Sequence, residues 1–210
     1  GSCGGGSSDD YATISYSGAR APLWPNRSNG PGNSDDGAYA VAVDGSGNVF
    51  VTGYSGGGNS DDYATIKYSG AGVPLWTNRY NGPGNGNDYA SAVAVDASGN
   101  VFVTGNSATI AYSGAGVPLW TNTVFSGAAI AVDIGGNVFV TGYTRSSSGS
   151  SEYATVKYAS SLRLNIEKMD NRIKITWAGA AFGLQSAPTI TGVFTNIPGA
   201  TNPYTNPVTG

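Results

Sequence analysis

The fold is decided by a stretch that this chain contains three times. Residues 61–86 read DDYATIKYSGAGVPLWTNRYNGPGNG, residues 9–34 read DDYATISYSGARAPLWPNRSNGPGNS, and residues 108–122 keep the short form ATIAYSGAGVPLWTN. Trp24 and Trp76 lie 52 residues apart in these copies. A repeat of this length is typical of supersecondary units that pack against their own neighbours, so the repeat predicts an array rather than a single irregular core.

A second segment recurs between the copies. It reads AVAVDGSGNVFVTG at 40–53, AVAVDASGNVFVTG at 92–105 and AIAVDIGGNVFVTG at 129–142. The alternation of small or branched residues predicts two strands, and the Asp-x-x-Gly-Asn stretch between them predicts a tight turn. Asp44, Asp96 and Asp133 recur at one position of this turn, where we expect each to cap the hairpin.

Each complete unit therefore offers four strands. They are predicted at 40–44, 92–96 and 129–133 (first strand), 48–53, 100–105 and 137–142 (second), 11–17, 63–69, 108–113 and 153–159 (third), and 21–28, 73–80 and 117–122 (fourth). Four short antiparallel strands joined by tight turns at this period are typical of a β-propeller blade. A β-solenoid is the alternative, although its coils usually repeat at shorter periods.

The third copy is shortened only in its loops. Asp96 and Asp133 are 37 residues apart instead of 52, and both deletions fall in segments rich in Gly, Asn and Asp. Loops tolerate changes of length that core strands do not, so the deletions mark the loops. In total the sequence predicts half a blade, two complete blades and three strands of another. These are about three blades, fewer than a closed propeller needs, so we expect them to stay open or to be completed by other copies through exposed strand edges.

The order of these segments carries a resemblance to a known family. AVDASGNVFVTG, YATIKYSGAG and LWTNRYNGPGNG together resemble the bacterial β-propeller repeats called SBBP repeats. The resemblance covers residues 1–160 and implies an exported, surface-located repeat protein without an assigned reaction. It also aligns residue 1 with Gly53, which puts Cys3 at the position of Ser55 inside a repeat.

The repeated sequence pattern ends near residue 160, and a different pattern follows. Segments 162–166 and 172–177 alternate across an Asp-Asn turn and predict a hairpin, and 182–186, 193–197 and 204–208 are further strand candidates. Residues 161–210 resemble the short C-terminal β-modules of exported Verrucomicrobia-type proteins and predict a small sandwich-like or capping module.

Composition excludes several functions. The net charge is −3 and no basic run is present, so nucleic acid is not expected as a partner. The chain has no histidine, which removes the commonest general base and metal ligand. Carboxylate pairs for glycosidase chemistry occur at Asp9-Asp10, Asp35-Asp36 and Asp61-Asp62, but neighbouring residues of a strand point to opposite faces. The sequence therefore predicts no enzyme and no cofactor.

Two kinds of binding site remain as candidates. Calcium favours oxygen ligands in Gly-rich loops, which makes Asp35, Asp36, Asp61 and Asp62 candidate ligands, although their spacing differs from the EF-hand pattern. The recurring tryptophans of the fourth strand are candidates for stacking on sugar rings, or for filling the space between neighbouring blades; they are Trp24, Trp76 and Trp120.

These features predict a non-enzymatic structural or adhesive protein, located outside the cell or at its surface. We expect self-association through open strand edges into an oligomer or filament. The alternative is a β-propeller that binds carbohydrate or another ligand, with surface glycans as partners. No apolar run approaches the roughly 20 residues that a membrane-spanning helix needs, so no transmembrane segment is predicted.

Overall fold

The chain is all-β. The computed structural model describes residues 2–4, 8–57, 60–145, 149–159, 165–169, 172–176, 185–186, 195–196 and 204–207. Every regular element in these ranges is a β-strand, and all strand pairs are antiparallel. The same ranges contain no helix that could span a membrane. The chain divides into two compact units, Gly1–Tyr158 and Ala159–Gly210.

The first unit contains four sheets, which we number in chain order. Sheet 1 comprises β1 (Ser2–Gly4), β2 (Asp9–Tyr16) and β3 (Pro22–Ser28). Sheet 2 comprises β4 (Asp36–Val43), β5 (Val49–Gly56), β6 (Asp61–Tyr68) and β7 (Pro74–Tyr80). Sheet 3 comprises β8 (Ala90–Val95), β9 (Val101–Gly105), β10 (Thr109–Tyr112) and β11 (Pro118–Asn122), and sheet 4 comprises β12 (Ser126–Val132), β13 (Val138–Arg145) and β14 (Ser151–Tyr158).

Strands that follow one another along the chain also pair in each of these sheets, as the repeat predicts. The predicted first and second strands were too short, because pairing continues past a bulge between Ala38 and Ala40 and joins Asp36 to Ser55. The corresponding irregularity recurs in sheet 4 between Gly127 and Ala129. The repeat therefore specifies the irregularities of the ladder as well as its regular pairs.

The short strand β1 confirms the alignment of the chain's first residues. Cys3 pairs with Asp10 in sheet 1, as Ser55 pairs with Asp62 in sheet 2. The backbone of β1 thus continues the repeat as the end of a second strand, in addition to the two strands predicted for this part of the chain. The side chain of Cys3 lies outside the described residues.

The tight turns form as their sequence predicts. Asp44 Oδ1 accepts hydrogen bonds from the backbone N–H groups of Ser46 and Asn48, both at 2.9 Å, and Oδ2 accepts one from the Asn48 side chain at 2.7 Å. Asp96 and Asp133 accept the corresponding bonds from Asn100 and Asn137. These aspartates cap their hairpins, which confirms the expected role.

The third strand of sheet 2 divides its side chains between the two neighbouring sheets. In β6, alternation along the strand places Ala64, Ile66 and Tyr68 toward sheet 1, where they form a core cluster with Tyr11. The opposite face carries Tyr63, which is buried in a cluster with residues of sheet 3. The core of the first compact unit is therefore a series of layers. Each layer lies between the facing sides of two successive sheets.

The second unit contains two further small sheets. Strands β15 (Asn165–Met169), β16 (Arg172–Thr176) and β19 (Tyr204–Pro207) form one sheet, and β17 (Gln185–Ser186) and β18 (Thr195–Asn196) form the other. The predicted hairpin across the Asp-Asn turn is confirmed. Its first strand extends beyond the predicted end at residue 166, because the register continues to the pair of Met169 with Arg172. Residues 162–164 of that prediction lie outside the described residues.

A glycine in the turn between the third and fourth strands tests how closely the sheets pack. Gly72 has φ of +82°, and a Cβ there would lie 2.6 Å from the ring of Trp24 in sheet 1. Gly47 has a similar φ of +79° but has open space around it. We expect Gly47→Ala to cost about 1 kcal/mol, from backbone strain alone.

Gly72→Ala adds a clash to that strain and should cost about 2–4 kcal/mol in the free energy of unfolding measured with denaturant. Equal losses in the two variants would show that contact with Trp24 does not constrain this turn.

Candidate functional site

The tryptophans of the repeat lie between neighbouring sheets. The indole N–H of Trp24 in β3 donates to the carbonyl of Gly70 in sheet 2 at 3.0 Å. Trp76 in β7 makes the corresponding bond to Gly114 in sheet 3 at 3.2 Å. Each ring is half-buried and lies over a glycine of the same turn, at distances that leave no room for a side chain there.

An asparagine two residues further along the same strand binds the same turn. The Asn26 amide donates to the carbonyl of Gly72 at 2.6 Å, and the Asn78 amide donates to that of Gly116 at 2.7 Å. Trp and Asn together therefore recognise the backbone of one turn in the next sheet. We call this pair of side chains with its target the Trp–Asn contact.

A buried tyrosine of the third strand makes a second contact to the next sheet. Tyr11 donates through its hydroxyl to the carbonyl of Ala64 at 3.0 Å, and Tyr63 donates to that of Ala108 at 3.1 Å. The Tyr63 hydroxyl also accepts the N–H groups of Ser107 and Ala108 at 3.0 and 3.1 Å. Burial raises the pKa of Tyr11 and of Tyr63 above the ordinary tyrosine value, so both stay neutral donors at physiological pH.

The contact between sheets 3 and 4 is more apolar. Trp120 lies with its ring centroid 5.1 Å from that of Tyr158 in sheet 4 and 6.2 Å from that of Phe102. A buried cluster that includes Phe125 and Val140 fills the rest of this layer. Thus Trp24, Trp76 and Trp120 all contact the following sheet. Stacking of their rings on sugars stays a prediction, and the faces described here are already in contact with protein.

The acidic doublets are divided between different environments. Asp10 is buried and forms an ion pair with Arg27, whereas Asp9 is exposed. Asp35 and Asp61 bind neighbouring sheets: Asp35 Oδ1 accepts the N–H of Asp9 at 3.0 Å, and Asp61 Oδ2 accepts the hydroxyl of Tyr89 at 3.0 Å.

The candidate calcium ligands do not converge in the described part of the chain. Asp62 lies 3.6 Å from Arg79 across the sheet, and Asp36 is buried against a loop amide. Nowhere in the described ranges do three acidic, cysteine or histidine residues come together in a way that could hold a metal ion.

Two buried aspartates anchor the loops that precede their strands. Asp36 Oδ2 accepts the N–H of Gly30, and Asp88 Oδ2 accepts that of Gly82, both at 2.5 Å. Each glycine belongs to an Asn-Gly-Pro-Gly-Asn loop, which is also closed by a hydrogen bond between its two asparagine side chains. Both carboxylates are almost completely buried, and each binds its loop through Oδ2.

The shortened unit replaces this anchor. Phe125 occupies the position that Asp36 and Asp88 occupy in the preceding units. The strand register shows this, because Phe125 directly precedes Ser126, which pairs with Tyr143. The Asn-Gly-Pro-Gly-Asn loop is absent before it. Without the loop amide, a buried carboxylate would lose its partner, and the position carries a buried phenyl ring instead.

A polar cavity of about 200 Å³ lies between sheets 1 and 2. It is lined by Tyr11, Asn29, Asp36, Ser55 and Arg79, among others. The Arg79 guanidinium donates to the side chain and the carbonyl of Ser55 at 2.5 and 2.6 Å. The Arg79 side chain is thereby held against the wall of the cavity.

Sequence reasoning named the tryptophans as candidates for the space between neighbouring blades, but it missed the other side chains that join the sheets. The tyrosine at positions 11 and 63 and the asparagine at 26 and 78 recur at the same 52-residue spacing as Trp24 and Trp76. That spacing is the signal by which they could have been found. A polar side chain that recurs at a single phase of a repeat is expected to serve a contact that recurs as well.

Comparison with known proteins does not identify a family for this chain. No protein-family model matches the chain, and no curated protein matches it. Among solved structures the chain is similar to a protein of unknown function from Bacteroides caccae, with 10% sequence identity and a TM-score of 0.45. The match covers 80% of this chain and 64% of the other, so the chain spans less than two thirds of that protein. A similarity at this level supports no inference about the fold or the function of this chain.

Replacing Tyr63 tests the tyrosine contact. Tyr63→Phe leaves two N–H groups of sheet 3 without their acceptor, and we expect a loss of about 1–3 kcal/mol in the free energy of unfolding at pH 7. Tyr153→Phe is the matched control in dilute solution, where the chain is monomeric, because Tyr153 occupies the same position of β14 and is 82% exposed. Its effect should stay within about 0.5 kcal/mol.

The same variant has a defined pH dependence. The pKa of Tyr63 is raised above 10.0 by burial, so its contribution to stability is complete below pH 10.0 and is lost as pH rises through the folded-state pKa. The difference between wild type and Tyr63→Phe should therefore shrink at alkaline pH. A difference that stays constant from neutral pH to about pH 11.5 would contradict the assigned burial.

Replacing Asp88 tests the loop anchor. Asp88→Ala removes the acceptor of the Gly82 N–H, so we expect faster amide hydrogen exchange at Gly82 and a loss of about 1–3 kcal/mol in stability. Asp9→Ala, which changes an exposed carboxylate, should alter neither. Unchanged exchange at Gly82 in Asp88→Ala would show that the loop does not depend on this carboxylate.

Proposed function

We propose that this chain is a non-enzymatic structural or adhesive repeat protein of the β-propeller type, which acts outside the cell or at its surface by self-association. The observation that carries the proposal is the use of the recurring polar side chains. Trp24, Asn26, Tyr11 and their counterparts 52 residues later all bind the backbone of the next sheet. The recurring polar side chains of the repeat thus serve to join one sheet to the next.

The contacts between strands support blades of a propeller type. The first strands of successive sheets, β4, β8 and β12, contact one another. The fourth strands β7 and β11 lie at the far edge of their sheets. First strands that meet, with the fourth strands at the opposite edge of their sheets, are the arrangement expected for blades placed around an axis.

The buried carboxylates support a structural role. Asp36 and Asp88 accept loop amides, and Asp10 is paired with Arg27. A general acid or base must reach a substrate, and acids committed to buried backbone or ion-pair contacts do not. The proposed activity is therefore association and not a reaction.

A location outside the cell is supported by composition. Charged residues are only 11% of the chain, and the polar surface comes mainly from Ser, Thr, Asn and Gly. Exposed apolar side chains recur at one position of the fourth strands, as Leu23, Leu75 and Leu119, each more than half exposed. A row of exposed leucines at the sheet edges suits contact with other copies or with a surface.

Imaging and sizing of the native protein test the proposal. We expect assemblies larger than the monomer, and we expect protease treatment of intact cells to remove the protein. A chain that stays inside the cell and runs as a compact monomer at all concentrations would overturn the proposal. A glycan array serves as the second arm, because specific glycan binding by a monomer would favour the carbohydrate-binding alternative.

A further inference from the structure

The repeated contact between sheets has two unlike sides. The side that faces the preceding sheet carries an Ala-x-Ile-x-Tyr pattern from the third strand, which we call the receiving face. The side that faces the following sheet carries the buried tyrosine, which we call the inserting face. Where a neighbouring sheet covers the receiving face, its large side chains are buried: Ile66 is 3% exposed, Tyr68 2%, Ile110 1% and Tyr112 4%.

Sheet 1 presents a receiving face whose large side chains are exposed. Ile14 and Tyr16 occupy the positions of Ile66 and Tyr68 in the repeat, yet they are 50% and 60% exposed. They lie on the opposite face of β2 from Tyr11, which is inserted toward sheet 2. This face therefore exposes apolar and aromatic side chains of the kind that are buried between sheets elsewhere in the repeat.

Sheet 4 presents the complementary inserting face. Tyr153 is 82% exposed, whereas its counterparts Tyr11 and Tyr63 are both 1% exposed. Lys157 is exposed in the same strand. Its counterpart Lys67 donates to the carbonyl of Gly114 in the next sheet at 2.9 Å. Two groups that bind the following sheet elsewhere are therefore uncovered here.

Arg20 indicates that sheet 1 fits an inserting face without a tryptophan. It stands at the turn position of Gly72 and Gly116, with φ of +63°. A side chain at Gly72 would clash with Trp24, so the turn of sheet 1 does not receive a tryptophan in the same way. Sheets 1 to 3 each carry a tryptophan eight residues after the last tyrosine of the third strand. After Tyr158 of sheet 4 that position is Ile166.

We propose that the inserting face of sheet 4 in one copy packs on the receiving face of sheet 1 in a second copy of this chain. This inference rests on the self-association in the proposed function and specifies its surface as the sheet faces. By continuity with the internal contacts, the Tyr153 hydroxyl donates to the carbonyl of Ala12, and the Lys157 ammonium donates to that of Gly18. The two faces differ, so the contact is head to tail and leads to rings or filaments.

Charge-bearing variants on the two faces test this contact by sedimentation and light scattering over a concentration series. Tyr153→Arg and Ile14→Arg each place a charge on one face at an exposed position, so the fold should tolerate them. Each should weaken association at least about tenfold. Ile134→Arg is the matched control, because Ile134 is fully exposed in the turn between β12 and β13, and its counterparts Gly45 and Ala97 stay exposed in sheets 2 and 3, where both faces are covered. This variant should associate like wild type.

Mixing separates a head-to-tail contact from a general loss of association. Tyr153→Arg keeps an intact receiving face and Ile14→Arg keeps an intact inserting face, so an equimolar mixture should form a dimer that grows no further. Neither variant alone should do so. Circular dichroism and thermal melting of each variant establish that it is folded.

Three results would overturn the contact. Assemblies that persist unchanged in both face variants would place the interface elsewhere, for example at strand edges, while the proposed self-association would stand. A wild type that is monomeric at all concentrations would remove this contact together with the proposed self-association. A monomer that becomes less compact on Tyr153→Arg would show that sheet 4 packs on sheet 1 of its own chain.

Discussion

The first unit depends on hydrogen bonds from side chains of one sheet to the backbone of the next. Trp24 and Asn26 bind carbonyl groups of a single turn, and Tyr11 binds a carbonyl of the adjoining strand. Backbone carbonyls do not change with sequence, so one set of side chains can recognise any number of following units. Burial of Ile66 and Tyr68 supplies the apolar area of the same layer. The polar bonds set the position of one sheet on the next.

This constraint explains where the repeat allows variation. The turn must present a glycine where a tryptophan covers it, as at Gly72 and Gly116, because a side chain there would meet the indole ring. Sheet 1, the first sheet of this unit, has Arg20 at this position. The sequence of each turn is therefore determined by what the preceding sheet inserts, and only secondarily by the turn itself.

Much of the first unit could be predicted from its sequence, because alternation and turn residues are local signals. The hairpin caps at Asp44 and Asp96 were predicted correctly for this reason. The contacts between sheets were not, since Tyr63 and its acceptor in Ala108 are 45 residues apart and nothing local in the chain specifies their distance. The start of β4 and the end of β15 were missed because pairing beyond a bulge, or up to Met169, depends on the partner strand.

The exchange of Asp88 for Phe125 separates the outer loops from the rest of the unit. A loop of the Asn-Gly-Pro-Gly-Asn type comes with one internal carboxylate that satisfies it, and without the loop a phenyl ring fills the same space. Loop and anchor thus form a cassette, since the unit without the loop is seven residues shorter between its tryptophan and its hairpin aspartate and carries Phe125 in place of the anchor. Such a cassette gives evolution, or an engineer, a place to change the outline of the molecule without disturbing how its sheets are joined.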